Sequence, residues 1–468
     1  MNQDTGDHRL RAASLGVVDI VFFVVAAAAP LGATIGGAPV VFAAAGRGVP
    51  ALYVTASLVL VLFAIGFAEM SRKVVSAGGF AEFVTVGLGK VPGDAAGGIA
   101  LFAYLAMLLG INAQLGAMAG NLLASWPGWH IDWRIATLVS IFVVGFFGYR
   151  DVNLSAKILG VVMIFEVLIL LLFDAAVLLA SPRGAINLTG FRPSEVLSAG
   201  MVPALMFSFA CFVGFESTTI YGEEARTPEV TVPRATYIAI GMIGIFYSLT
   251  MWCIGLAYQN QDVRALATAD PVNFVFAANT RLVGAWATDA MAVLVVTSVF
   301  AVLLSFHNAL GRYMFALARR GFLPAALGHI HPQNQSPFKA SIVLTLTILL
   351  IMGIMMMLEI DPVRSIYPIL VGVGTLGILV LQALAAMAVI SFFRGEADRS
   401  WWTGFAAPLL GGAGLWVIVV LAIRHFGFLT GVESGPVTLV PWLVLAAALL
   451  GIVRGVAVRR THPAGQDL

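Results

Sequence analysis

The sequence predicts an all-α membrane protein that crosses the bilayer twelve times, and three observations carry that prediction. Of the 468 residues, 60% are hydrophobic and only 11% are charged, a balance that a water-solvated domain does not show. The mean hydropathy is +0.96. A hydrocarbon core about 30 Å thick takes roughly 20 apolar residues per helix, and the chain offers a long series of such runs separated by short charged segments.

In chain order the runs predict helices near 15–45, 50–70, 95–125, 135–150, 155–181, 199–222, 235–258, 286–316, 339–358, 366–393, 403–424 and 437–458. The first is too long for one straight crossing. It holds Pro30, Gly32, Gly36 and Gly37, which predicts a broken helix. The polar stretch before it, MNQDTGDHRLRAASLG, has no cleavage-site pattern, so the first run is expected to stay as a membrane helix. With the N-terminus inside, seventeen of the 26 basic residues fall on the inner side and eight on the outer, in accord with the positive-inside rule. Residues 1–14 and 459–468 then read as cytoplasmic tails. Trp126, Trp129 and Trp133 between the third and fourth runs, Trp401 and Trp402 before the eleventh and Trp442 near the start of the twelfth sit where interface anchors belong. Lys157 at the entrance of the fifth run reads as a snorkelling or loop-binding group.

Other classes are set aside by what composition does not offer. Cys211 and Cys253 both fall inside apolar runs and read as small buried hydrophobes, with no disulfide framework. The basic residues are spread over many loops without a basic stripe, so no nucleic-acid partner is expected. No H-E-x-x-H, Cys-x-x-Cys, G-x-S-x-G or Walker-type pattern occurs, and the seven histidines are scattered, so neither enzyme chemistry nor a metal or other cofactor is expected. Oligomeric state is not legible. Twenty-two arginines against four lysines, with abundant Ala, Gly and Val, match a GC-rich bacterial genome and an inner-membrane location.

Two runs are interrupted in corresponding places, the first by Pro30–Gly37 and the sixth around Phe209–Glu216. Paired interruptions of this kind point to an inverted-repeat transporter with its site at the midplane. Freed N–H groups at a half-helix N-terminus can hold a carboxylate, and freed carbonyls can hold an ammonium. An α-amino acid carries both. The plainer reading of the glycines alone is close helix packing. Intramembrane acids narrow the choice, because a carboxylate in the bilayer must be paired, solvated or protonated. Glu166 in the fifth run and Glu216 beside the second break are the deepest. Asp19, Glu69, Asp174 and Asp289 lie close enough to run ends to read as solvated or capping groups. A carboxyl in apolar surroundings can exchange a proton near neutral pH, as proton coupling requires.

The stretch Gly214-Phe-Glu-Ser-Thr-Thr-Ile-Tyr-Gly-Glu-Glu-Ala-Arg-Thr-Pro-Glu-Val-Thr-Val-Pro-Arg234 resembles the helix 6 to helix 7 signature of amino acid permeases of the amino acid, polyamine and organocation superfamily. Gly311-Arg-Tyr-Met-Phe-Ala-Leu-Ala-Arg-Arg-Gly-Phe-Leu-Pro324, followed by His331-Pro and Ser336-Pro, is similar to the helix 8 to helix 9 connection of that family, and Ser76-Ala-Gly-Gly79 fits too. The resemblance spans Leu15 to about Arg460. It implies a leucine-transporter-like fold of five plus five inverted repeats, 15–181 and 199–393, with two extra helices over 403–458. It also implies alternating access around a site between helices 1, 3, 6, 8 and 10.

Residue by residue, the resemblance assigns Ala33, Thr34, Ile35, Gly36 and Gly37 to the turn that holds a substrate carboxylate, and Ala210, Val213 and Gly214 to backbone around the amino group. Phe306 matches an aromatic that closes over the substrate, Tyr104 and Asn112 match helix 3 positions lining the path, and Glu216 matches a gating acid. Two departures stand out. Relatives often carry an aromatic gate where this chain has Ala210, with Phe209 and Phe212 beside it. Some proton-coupled relatives carry a lysine where this chain has Glu166. His307 beside Phe306 reads as a packed or hydrogen-bonded side chain rather than a proton carrier. The expected activity is amino acid transport, by proton-coupled symport or exchange, with the substrate and protons as partners. An amine permease and a non-transporting sensor are the alternatives.

Overall fold

The computed structural model describes residues 14–124, 131–150, 152–181, 186–198, 200–396, 400–427 and 435–461. Among these residues all regular structure is helical, and one isolated parallel bridge joins Leu15 to Ala225. The first apolar run is two helices, α1 (Val17–Ala28) and α2 (Pro30–Ala45). Next come α3 (Val49–Ser71), α4 (Gly79–Leu88), α5 (Lys90–Ala124), α6 (Trp133–Tyr149) and α7 (Val152–Ala180). A single turn, α8 (Pro193–Val196), leads into α9 (Met201–Ala210), whose run continues as a 3-10 helix at Phe215–Thr219. The rest is α10 (Pro228–Ala257), α11 (Val263–Ala269), α12 (Phe274–Leu282), α13 (Ala285–Arg319), α14 (Phe338–Met357), α15 (Tyr367–Arg394), α16 (Ala407–Arg424) and α17 (Trp442–Thr461).

Ten helical stretches among the described residues are long and apolar enough to cross a membrane. One of them, Val17–Ser71, has 55 residues and contains α1, α2 and α3. As a straight helix it would run about 80 Å, far beyond the hydrocarbon core, so it must turn back. Helix α6 is apolar but has only 17 residues.

Besides the single turn α8, three helices lie in segments expected to be loops. Helix α4 buries Phe80, Ala81, Phe83 and Val84 while Val86 is exposed; at ten residues it is too short to register as a span. Its start needs glycine, because Gly79 has φ +46° and a Cβ there would sit 2.6 Å from the Tyr313 hydroxyl. The Phe80 N–H donates to that hydroxyl at 2.7 Å, answering one of the open donors of a helix N-terminus. Helices α11 and α12 cover one end of the bundle against α2. Helix α10 starts at Pro228 rather than near 235, since proline at the first helical position loses no bond.

Helix α5 is the central strut, packed against α13, α15 and α17, while α3 packs against α10 and α16. Trp401, Trp402 and Trp442 are exposed, as interface anchors should be. Trp126, Trp129 and the tails 1–13 and 462–468 lie outside the described residues.

Candidate functional site

The first break falls at Ala28–Ala29, upstream of where the glycines suggested. Ala29 adopts φ +49°, and the helix resumes at once with Pro30, which has no N–H to leave unpaired. Ala33, Thr34, Ile35, Gly36 and Gly37 are therefore interior residues of α2, and the Ala33 N–H already donates to the Ala29 carbonyl. The N–H groups that leave the helical ladder are those of Leu31 and Gly32. Leu31 N–H points at Glu166 Oε2 at 3.5 Å, and Gly32 N–H donates to Ser298 Oγ at 3.1 Å. Ser298 Oγ in turn donates to Glu166 Oε2 at 2.6 Å. A carboxyl from α7 and a hydroxyl from α13 thus cap α2, at the end where the helix dipole favours negative charge.

The second break follows α9 and turns at Gly214, φ +116°. A Cβ on Gly214 would lie 2.7 Å from the Ala27 Cβ, so the two breaks touch at this glycine. Glu216 sits in the 3-10 turn, 2% exposed. Its Oε2 accepts from the Gly214 N–H at 2.9 Å, its Oε1 accepts from the Tyr104 hydroxyl at 2.9 Å, and the Gln382 side chain of α15 lies against it. The Tyr104 ring stands 5.5 Å from Phe306 and 5.6 Å from Tyr313. Each break therefore carries one buried carboxyl, and each carboxyl ties its break to two other helices.

Between the breaks lies a cavity of about 100 Å³. Its walls come from α1 and α2 (Ala27, Ala28, Ala29, Gly32, Ala33, Gly37), α5 (Met107, Ile111, Gln114), α9 and its turn (Phe207, Ala210, Cys211, Val213), α13 (Val299, Val302, Phe306) and α15 (Tyr367, Val371). Of the residues singled out in the sequence, Ala33, Gly37, Ala210, Val213 and Phe306 line it. Thr34, Ile35, Gly36, Phe209 and Gly214 stand behind the wall, with Gly36 next to Gln114. Phe209 is buried in the core, and Phe212 packs edge-on against Tyr247. Asn112 is turned away: its amide donates to the Leu108 carbonyl and its Oδ1 accepts from Ser140 on α6, which makes it a helix-packing group. Tyr104 is not among the lining residues and packs against Phe306, which is.

Several polar groups near the site were not foreseen. Gln114 and Tyr367 face the cavity side by side, and Ser298 and Gln382 serve the two carboxyls. A lone Ser or Gln inside an apolar run was the available signal, because intramembrane polar residues mark function or hydrogen bonding. Asp174, read as solvated, is 2% exposed, with Oδ2 accepting from Thr250 on α10 at 2.9 Å. Its Oδ1 has no partner among the described residues. Asp19 caps α1 by accepting from the Gly16 N–H, and Asp289 is exposed. His307 is buried with Nε2 beside Ser341 Oγ at 3.0 Å, a packed side chain. Lys157 is exposed on α7.

Arg312, one of the seventeen basic residues that the sequence places on the inner side, is 2% exposed and paired with Glu224, which is 1% exposed. The Glu224 carbonyl accepts from the N–H groups of Ser14 and Leu15. One charged cluster thus clamps the segment before α1, the turn after the second break and the far end of α13.

A family model for amino acid permeases matches residues 19–455. A branched-chain amino acid permease of Bacillus subtilis is 25% identical over 434 residues, covering 89% of this chain and 87% of its own length. A gamma-aminobutyric acid permease of Escherichia coli is 27% identical over 329 residues, covering 66% of each chain. An L-methionine and branched-chain amino acid exporter of Escherichia coli is 28% identical over 192 residues, covering 41% of this chain and 44% of its own. With a family match spanning nearly the whole chain, and with helices of transmembrane length and composition, this is a multi-pass membrane transport protein of the amino acid permease family.

Proposed function

We propose that the chain is a secondary active transporter that moves neutral, apolar amino acids by alternating access with proton coupling. In this reading the chain makes twelve crossings, with 15–181 and 199–393 as inverted repeats, 403–458 as two added helices and both tails in the cytoplasm of a bacterium. The observation that carries it is the cavity itself, which two interrupted helices and three continuous ones enclose. Helix ends at such breaks offer carbonyls to an ammonium and N–H groups to a carboxylate, and a substrate carboxylate would take the Leu31 and Gly32 N–H groups over from Glu166 and Ser298. The remaining wall of Met107, Ile111, Phe207, Val299, Val302, Phe306 and Val371 suits an aliphatic or thioether side chain. No Asp, Glu, Lys or Arg lines it, which disfavours a free amine or polyamine. The relatives named for branched-chain amino acids and methionine agree with this choice.

Glu166 is assigned as the proton-carrying group. Its partners, a hydroxyl and a backbone N–H, are neutral, so the carboxyl can hold a proton without breaking an ion pair. Loading it would change the charge at the α2 N-terminus and weaken the cap that holds the first break. Glu216 is assigned to the gate, joined through Tyr104 to Phe306.

The test is uptake by purified protein in liposomes, with labelled leucine competed by individual amino acids and amines, with and without an inward proton gradient. Competition by leucine, isoleucine, valine and methionine with stimulation by the gradient is expected. Competition by amines instead would overturn the substrate, and uptake indifferent to the gradient would overturn the coupling.

A further inference from the structure

A second, larger recess lies on the outside of the bundle, where α17 crosses α5. The helices touch backbone to backbone: a Cβ on Gly98 would come 2.2 Å from the Ala447 carbonyl, and one on Gly451 would come 2.3 Å from the Asp94 carbonyl. Beside this contact a groove of about 460 Å³ is walled by Leu101, Phe102, Leu105, Leu443, Ala446 and Leu450. Helix α17 is the least covered of the long apolar helices, with 17% of its apolar window buried, so the groove opens towards the lipid.

At one end the groove changes character. Phe322 lines both it and an adjoining pocket of about 190 Å³ that contains Lys90, Asp94, Arg320 and Arg459. Two of the cations are matched, Arg459 by Asp94 at 2.5 Å and Arg320 by Glu82 at 3.1 Å. Two are not matched by an acid among the described residues. Lys90 stands in the polar pocket, and Arg454, at the mouth of the groove, spends only its Nε on the Phe322 carbonyl at 2.8 Å. Arg459 Nη2 also has no partner among the described residues. An apolar trough with one unmatched cation at its mouth, Arg454, and a second, Lys90, in the pocket it adjoins has the polarity of a lipid with an anionic head, and basic pockets between membrane helices recruit such headgroups.

We propose that the α5–α17 groove is a binding site for one phospholipid of net negative headgroup, its acyl chain along Leu101, Leu105 and Ala446 and its phosphate between Lys90 and Arg454. The lipid would brace α17 against α5, the strut that also walls the transport cavity.

The experiment is native mass spectrometry of the full-length protein in detergent, titrated with phosphatidylglycerol, phosphatidylcholine or deacylated glycerophosphoglycerol. One phosphatidylglycerol per chain should bind in preference to phosphatidylcholine. Lys90→Gln and Arg454→Gln should each weaken it about fivefold, and Ala446→Phe, which fills the exposed groove, should abolish it. A monodisperse elution profile and unchanged helical circular dichroism in detergent report that each variant is folded. Equal retention of the two lipids, unchanged affinity in all three variants, equally tight binding of glycerophosphoglycerol, or a dimer that excludes lipid from this face would each overturn the proposal.

Discussion

The two helix interruptions do the same geometric job by opposite means. At the second, the turn and its cap are local: Gly214 supplies the left-handed turn, and Glu216, two residues on, accepts its N–H, with Tyr104 and Gln382 behind that carboxyl. At the first, the turn is made by Ala29, a residue without glycine's freedom, and the exposed donors are met by Glu166 and Ser298, which lie 135 and 266 residues from them in sequence. A locally built break is a permanent bend. A break held from distant helices loosens when those helices move or when its carboxyl changes protonation, which makes the first break the natural switch and the second the fixed pivot.

The largest expected effect follows at the pivot. Gly214→Ala forces a side chain into positive φ and against Ala27, and should cost about 3 kcal/mol from backbone strain and overpacking together. Thermal unfolding in detergent should show the loss, and uptake should vanish. A variant with unchanged melting would mean that the second break is as adaptable as the first.

Next in size is the switch. Glu166→Gln keeps a hydrogen-bonding group of the same shape while removing the titratable proton. Gradient-driven accumulation should fall about tenfold or more, as for a general proton-transfer group, while exchange of labelled for unlabelled leucine persists. If accumulation survives and Glu216→Gln abolishes it, the roles of the two carboxyls are reversed.

Tyr104→Phe removes one donor from buried Glu216. An unsatisfied buried acceptor costs about 1–3 kcal/mol, so initial uptake rates should drop about tenfold, and the loss should remain whether or not a proton gradient is applied. An effect confined to gradient-driven uptake would move Tyr104 from gating to coupling. The smallest effect is expected from Ala29→Gly. Relief of the left-handed strain and the added freedom of the unfolded chain nearly cancel, each about 1 kcal/mol, so melting should hardly shift. A marked gain would show that the first break is strained in this state.

Legibility in the sequence follows the same division. The second break was visible because its glycine and its acid are neighbours in one motif. The first was misplaced by one turn, since Pro30 and three glycines drew the eye into α2 while the bending residue is an ordinary alanine. Glu166 stood out as an acid deep in an apolar run, but Asp174 did not, because its position eight residues along the same helix says nothing about the neighbour, α10, that covers it. Arg312 looked like one more inner-side arginine until Glu224 closed on it.

The sequence by itself determined that this chain lives in a bilayer, roughly where its long helices run, and which family it belongs to. Those properties follow from hydropathy summed over about 20 residues and from contiguous motifs, both local quantities. Tertiary structure alone decided which N–H groups leave the helical ladder at the first break and what caps them, that Asn112 turns towards α6, that Gln114 and Tyr367 share the cavity wall, and that an apolar groove meets a basic pocket at α17. Each depends on which faces of distant helices are pressed together. In a chain whose interior and lipid-facing surfaces are equally apolar, hydrophobic periodicity cannot reveal that choice.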